Sequence, residues 1–166
     1  MSRKFFFFLI IIILFFFDNI NGEKLIFKSI ILVDNNIPAR CGLEITKEKY
    51  FLSKLVIEKN GINKKIINFY VKSENFIIEK GNIKSQTVDF KNEVFNEKIK
   101  KEEGVFSIKG NLDENMTNQL FQELFISGGL LEINNENFII EGPIDSKVRL
   151  EYLFCVGEMF HPKYEK

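Results

Sequence analysis

"NQLFQELFISGGLLEINNENFIIEGPIDSKVRLEYLFC", Asn118 to Cys155, changes its hydrophobic period twice, and those changes decide the fold class. Taken back to Asn111, the first part places Met116, Leu120, Phe121, Leu124 and Phe125 at helical spacing. Asn111 or Asp113 supplies an N-cap, and acidic residues fill the first turn. Gly128-Gly129 follows, where a left-handed C-terminal cap needs a residue without Cβ. "LLEIN" and "NFIIEG" then flank Asn134-Asn135-Glu136 and read as a hairpin.

The last element, "DSKVRLEYLFCVGEMF" (Asp145 to Phe160), fits two templates. Val148, Tyr152, Cys155, Val156 and Met159 suit one face of a helix, whereas Val148, Leu150, Tyr152, Phe154 and Val156 alternate as in a strand. Helix is the reading we adopt, because Asp145 or Ser146 precedes it as a cap and Gly157 stands near its end.

Upstream, the pattern is short and β-like. "LIFKSIILVD", "CGLEITKEKY", "FLSKLVIEK", "KKIINFYVKS", "NFIIEK" and "IKSQTVDF", between Leu25 and Phe90, are rich in Ile, Val, Phe and Tyr, with polar breaks such as Asn60-Gly61 and Gly81-Asn82. Asn60-Gly61 is a hairpin turn candidate. "KLVIEK" and "NFYVKS" partly alternate, so one sheet face meets water, which favours antiparallel pairing. "GVFSIKGN" adds a strand before the helix, and the mixed-charge run "NEKIKKEEG", Asn96 to Gly104, reads as a solvated loop or exposed edge. The expectation is an α+β fold: mostly antiparallel sheet or sandwich with one or two packed helices, preceded by a signal peptide.

The signal peptide rests on residues 1–22. Arg3 and Lys4 precede an unbroken apolar run from Phe5 to Phe17, which Asp18 ends. As a helix that run spans roughly 20 Å. A bilayer core needs about 30 Å. A basic start, a short apolar stretch and small Gly22 at the exit fit a cleaved secretory signal, leaving residues 23–166 as one β-rich domain. Ile20 is larger than the small residue favoured three places before such a cut, so the alternative is an uncleaved signal anchor tethering the body to a membrane. The location expected is periplasmic or extracellular, with membrane contact only through that segment.

Removing 22 residues leaves 144, a normal length for one core. It also leaves 21 basic residues against 22 acidic, a net charge of −1, without the basic surplus that nucleic acid binding needs. The only two cysteines are Cys41 and Cys155. In an oxidising compartment an even number is most simply a disulfide, here closing a long loop. The alternative is a pair of separate reactive thiols, but the C-x-x-C spacing that lowers a thiol pKa is absent.

No constellation points to chemistry. His161, the single histidine, lies near the C-terminus and reads as solvated. Cys155, Glu158 and His161 offer metal-ligand atoms, but His161 falls about 240° around a helix from Cys155, and a disulfide removes the thiolate. Gly128-Gly129 leaves a helix C-terminus, whose dipole repels anions, so it is no phosphate cradle. Glu102-Glu103 sits in a polar stretch where no burial raises a carboxyl pKa. The sequon Asn115-Met116-Thr117 falls inside the helix. No catalytic residue, metal or cofactor is expected. The 19 Phe and 4 Tyr read mainly as core and signal segment, with an apolar-ligand cavity as the alternative use.

"ENFIIEKGNIKS" (Glu74 to Ser85) resembles "ENFIIEGPIDS" (Glu136 to Ser146) once Lys80 is skipped. That is either a duplicated hairpin unit or coincidence in a chain poor in residue types, and two copies fall short of a solenoid. We adopt coincidence.

The order of elements carries one wider resemblance. An early strand with Cys41-Gly42-Leu43, further strands, a helix ending at Gly129, a hairpin ending at Gly142 and a final helix with Cys155 is similar to small secreted proteobacterial periplasmic proteins of the invasion-associated locus B group. The chain departs from that group in having no Trp and no additional cysteines. What the resemblance implies is an exported β-rich domain tied by Cys41 and Cys155, without assigned catalysis. The function expected is therefore a non-catalytic binding or interaction domain whose partner the sequence does not identify. The alternatives are a carrier of an apolar small molecule and an enzyme of unrecognised type.

Overall fold

The computed structural model describes residues 24–60, 64–90, 99–102, 104–110 and 114–160. The signal segment at 1–22, Gly61 of the expected Asn60-Gly61 turn, the caps Asn111 and Asp113, Glu103 and His161 lie outside the described residues.

The described residues form an α+β fold of two antiparallel sheets and two helices. In order these are β1 (Ile26–Asp34), β2 (Ile37–Lys47), β3 (Phe51–Asn60), β4 (Lys64–Lys72), β5 (Gly81–Lys84), β6 (Asp89–Phe90), β7 (Ile99–Glu102), β8 (Val105–Gly110), α1 (Glu114–Ser127), β9 (Gly128–Ile133), β10 (Glu136–Glu141) and α2 (Ser146–Phe160). The larger sheet runs β1-β2-β3-β4-β8-β7 and the smaller β10-β9-β5-β6.

Local chemistry sets the turns. β1 and β2 are joined by Asn35 and Asn36, both at positive φ (50° and 66°), the geometry of a two-residue hairpin whose twist matches its strands. The β9–β10 turn needs only Asn134 and Asn135, since Glu136 already pairs with Ile133. β3 and β4 pair from Leu52↔Lys72 to Asn60↔Lys64, the antiparallel hairpin expected there. Asp145 caps α2: its Oδ1 accepts a hydrogen bond from Lys147 N at 2.8 Å. The final segment is thus the helix the cap predicts, with Val148, Tyr152, Cys155 and Met159 buried.

The inner faces of both sheets bury alternate residues, among them Cys41, Leu43 and Ile45 on β2, Ile67, Phe69 and Val71 on β4, and Leu131 and Ile133 on β9. Phe51 of β3 meets Phe138 of β10 with 4.7 Å between ring centroids, so the sheets pack face to face. Gly81 permits the close approach, because a Cβ there would lie 2.8 Å from the Phe106 ring and 3.0 Å from that of Phe69. Side chains of both sheets and both helices join one buried cluster. On the outer face of the larger sheet, Glu58 is paired with Arg40 at 3.1 Å and Lys109 at 2.6 Å, the solvated side that alternation in β3 and β4 predicts.

Two sequence expectations are corrected. "NFIIEK" is not a strand: Asn134 captures it first. Asn134 Oδ1 accepts from the backbone N–H groups of Glu79 and Lys80, its Nδ2 donates to Ile77 O, and its own N–H donates to Lys80 O. "IKSQTVDF" is not one strand but β5, a turn and β6. Ser85 N donates to Val88 O at 2.9 Å, and Glu123 of α1 accepts from Ser85 Oγ, Thr87 N and Thr87 Oγ1 at 2.6, 2.9 and 2.7 Å, holding the chain reversed. The coincidence reading of the two "ENFIIE" segments agrees with the fold, since Glu136–Glu141 is β10 while the matching Glu74–Glu79 is irregular. Within the charged run, Ile99–Glu102 forms a sheet edge, since among the described residues β7 pairs only with β8.

Candidate interaction surface

Cys41 and Cys155 are brought together and bonded, with S–S 1.99 Å and Cα atoms 5.8 Å apart. This is the one pairing of sequence-predicted site residues that the fold achieves. It also orients α2. Ser29 Oγ of β1 donates to Glu151 Oε2, and Ile31, two residues further along β1, stands opposite Cys41 in the ladder. Four helical residues rise about 6 Å. Two strand residues advance about 6.6 Å. Glu151 therefore follows Ser29, and Cys155 follows Ile31, so α2 runs alongside β1 over the β1–β2 pair.

With one face on the sheet, α2 turns another apolar face outward. Leu150, Leu153 and Phe154 recur at i, i+3 and i+4 on the side opposite Tyr152 and Cys155, and are 62%, 56% and 65% exposed. Gly157 continues that stripe with nothing within 4 Å of its Cβ position. Beside it, the end of β1 exposes Ile31 and Val33 on the face that α2 covers, while the exposed Leu32 and Ile37 lie on the opposite face, paired with Arg40 and Asp34. Single exposed apolar residues are ordinary; a run of them across a helix and an adjoining strand edge is what interaction sites have. Sequence reasoning missed this surface, although its signal was present as the competing strand-like alternation of the last element.

The polar groups are arranged differently. Glu123 uses both carboxylate oxygens in hydrogen bonds, those from Ser85 and Thr87 chiefly, and its pKa is held down to about 2. At Glu132 the Lys84 ammonium, 3.0 Å away, and the Asn82 amide outweigh burial and lower the pKa. At Glu58 burial acts upward, but hydrogen bonds from Lys109 and Asn68 and the charges of Lys109 and Arg40 leave it below the usual value. All three are kept ionised, the reverse of what a general acid needs. Tyr50 donates to Glu136 at 2.6 Å, which raises its pKa, and Lys47 Nζ lies 4.9 Å from the Tyr50 ring centroid and 5.3 Å from that of Phe138. Phe138 and Lys47 also line an open groove of about 770 Å³, together with Leu25, Phe27 and Ile144 among others.

Among the described residues no three His, Cys, Asp or Glu side chains converge as a metal set. Glu158 lies on α2, and Asn115 and Thr117 of the sequon lie in α1, with Thr117 fully buried. No helix among the described residues is long and apolar enough to cross a membrane. The chain matches no family model, no curated protein and no solved structure.

Proposed function

We propose that the protein is an exported binding domain, periplasmic or secreted, that acts by docking rather than by covalent chemistry. The observation that carries this reading is the second apolar face of α2, Leu150, Leu153 and Phe154, lying next to the exposed end of β1. Leaving such groups in water forgoes burial free energy of roughly 1.5 to 3 kcal/mol per large side chain. A partner that covers them recovers it. The Cys41–Cys155 bond supports the exported half of the reading, since disulfides persist in oxidising compartments. The resemblance to the invasion-associated locus B group, carried by Cys41, Gly129, Gly142 and Cys155, points the same way.

The test uses cells producing the full chain. Mass spectrometry without reductant is expected to find a chain starting at Glu23 with both thiols oxidised. Cross-linking of the same cells is expected to yield adducts that disappear in Leu153→Glu and Phe154→Glu. Retention of Met1 in the accumulated protein would overturn the cleaved-signal reading. Adducts unchanged by both substitutions would overturn docking through α2.

A further inference from the structure

We propose that the occupant of this surface is a second copy of the same chain, joined by antiparallel pairing of β1 with its dyad mate, centred on Ile31. The proposal rests on the binding-domain reading and names its partner.

β1 is the terminal strand of the six-stranded sheet and pairs only with β2 among the described residues. Nine residues long, it offers one full row of backbone N–H and C=O groups along its other edge. Edge strands are usually blunted by proline, by a bulge or by inward charge. β1 has no proline, and the irregularity in its ladder is an extra residue on β2, where Leu32 pairs Arg40 and Val33 pairs Pro38. Its own spacing remains regular.

The charges then select one arrangement. Lys28 and Asp34 are the only charged residues of β1, three places on either side of Ile31. Antiparallel pairing about Ile31 sets Lys28 opposite Asp34 of the second copy, and Asp34 opposite its Lys28. Ile30 then meets Leu32, and Ile31 meets itself. Parallel pairing in register would oppose Lys28 to Lys28 and Asp34 to Asp34, which is unfavourable. Moving the antiparallel centre to Ile30 or Leu32 would set each charge opposite an uncharged residue or beyond the strand. Because N–H and C=O of one residue point the same way, either hydrogen-bonding parity of β1 permits a centre on Ile31.

The helix completes the interface. A dyad between antiparallel strands of one sheet stands normal to it, so both α2 helices lie on the same face. Strands are spaced about 4.8 Å. With α2 over the β1–β2 pair, the two helices come within about 10 to 14 Å, near the distance at which helices pack. Phe154, one turn beyond Leu150 and on the flank of Glu151 that reaches β1, is carried toward the join. A strand pair alone is a small contact. Adding the α2 faces brings it toward the roughly 1,000 Å² of a specific interface, in the self-complementary form a two-fold dimer requires.

The test is sedimentation velocity across a concentration series, on the oxidised protein as it accumulates in producing cells. A dimer is expected. Lys28→Asp and Asp34→Lys, both on exposed side chains, should each weaken it by about tenfold or more, because the dyad turns two attractive pairs into two repulsive ones. The double variant Lys28→Asp/Asp34→Lys should restore the wild-type constant, an outcome that damage to the fold could not produce. A monomer at every concentration overturns the proposal, as does a dimer indifferent to the charge exchange. If adducts in cells still vanish with Phe154→Glu in either case, the binding-domain reading stands with a different partner or a different pairing of the two copies. If those adducts also persist, both readings fall.

Discussion

The ring of Phe121 on α1 lies against that of Tyr152 on α2, with 4.6 Å between centroids and 13° between planes. Phe125 closes on the same tyrosine at 4.9 Å, so one residue of the last helix joins both helices. Burial pushes the Tyr152 phenol well above its ordinary pKa, and it stays neutral at any working pH. Tyr152→Ala is expected to cost about 3 to 5 kcal/mol by urea unfolding, and Tyr152→Phe less than about 1.5. Equal losses would show that the hydroxyl, not the ring stack, holds the helices.

Cys41 and Cys155 are 114 residues apart in the chain. A cross-link of that span removes denatured-state entropy worth roughly 4 to 5 kcal/mol in the chain-entropy model. Dithiothreitol, or Cys41→Ala with Cys155→Ala, should lower the denaturant midpoint accordingly. An unchanged midpoint under full reduction would contradict this.

Gly128 and Gly157 should respond to alanine in opposite senses. Gly128 has φ of 79°, and a Cβ there would sit 2.0 Å from the carbonyl oxygen of Ile140. Its conformation alone penalises alanine by about 1 to 3 kcal/mol, and the backbone clash adds to that. Gly157 is inside α2 and open, so alanine there should gain about 0.5 to 1 kcal/mol. Thermal melts of the two variants moving in the same direction would refute the assignment.

Glu123 gives the pH prediction. Its folded pKa is about 2, against an ordinary value of 4.5, so the native state binds fewer protons than the unfolded chain between those values. Its contribution is complete above about pH 4.5 and is lost as pH falls toward 2. The stability gap between wild type and Glu123→Gln should narrow across that interval. A gap of constant size from pH 7 to pH 2 would exclude the carboxylate as the anchor of the Ser85–Val88 turn.

Ser53 supplies a prediction in the core. Its side chain is 1% exposed, and its hydroxyl has no hydrogen-bond partner among the described residues. Removing an unsatisfied buried hydroxyl relieves a desolvation cost, so Ser53→Ala should be neutral or stabilising. Clear destabilisation in chemical unfolding would reveal a bond the hydroxyl makes.

Much was legible before folding because it depends on near neighbours along the chain. Period-two alternation fixed the inner faces of β3 and β4, the 3.6-residue spacing fixed α1, and Asp145 capping Lys147 fixed the start of α2. The failures share a cause at longer range. "NFIIEK" has every mark of a strand, yet the Asn134 amide, 54 or 55 residues away, claims the backbone of Glu79 and Lys80. "IKSQTVDF" reverses because Glu123, on a different element, binds its middle.

The alternation that made Asp145 to Phe160 look like a strand was the trace of a helix with two apolar faces, one against the sheet and one in water. Sequence determined most of the elements and the two sulfurs available for a bond, because propensity and period act within a few residues. Which strand the Cys155 sulfur lies by and which side of α2 is covered were decided by packing alone. A side chain's partners depend on where the whole sheet brings the far end of the chain, and no local pattern encodes that.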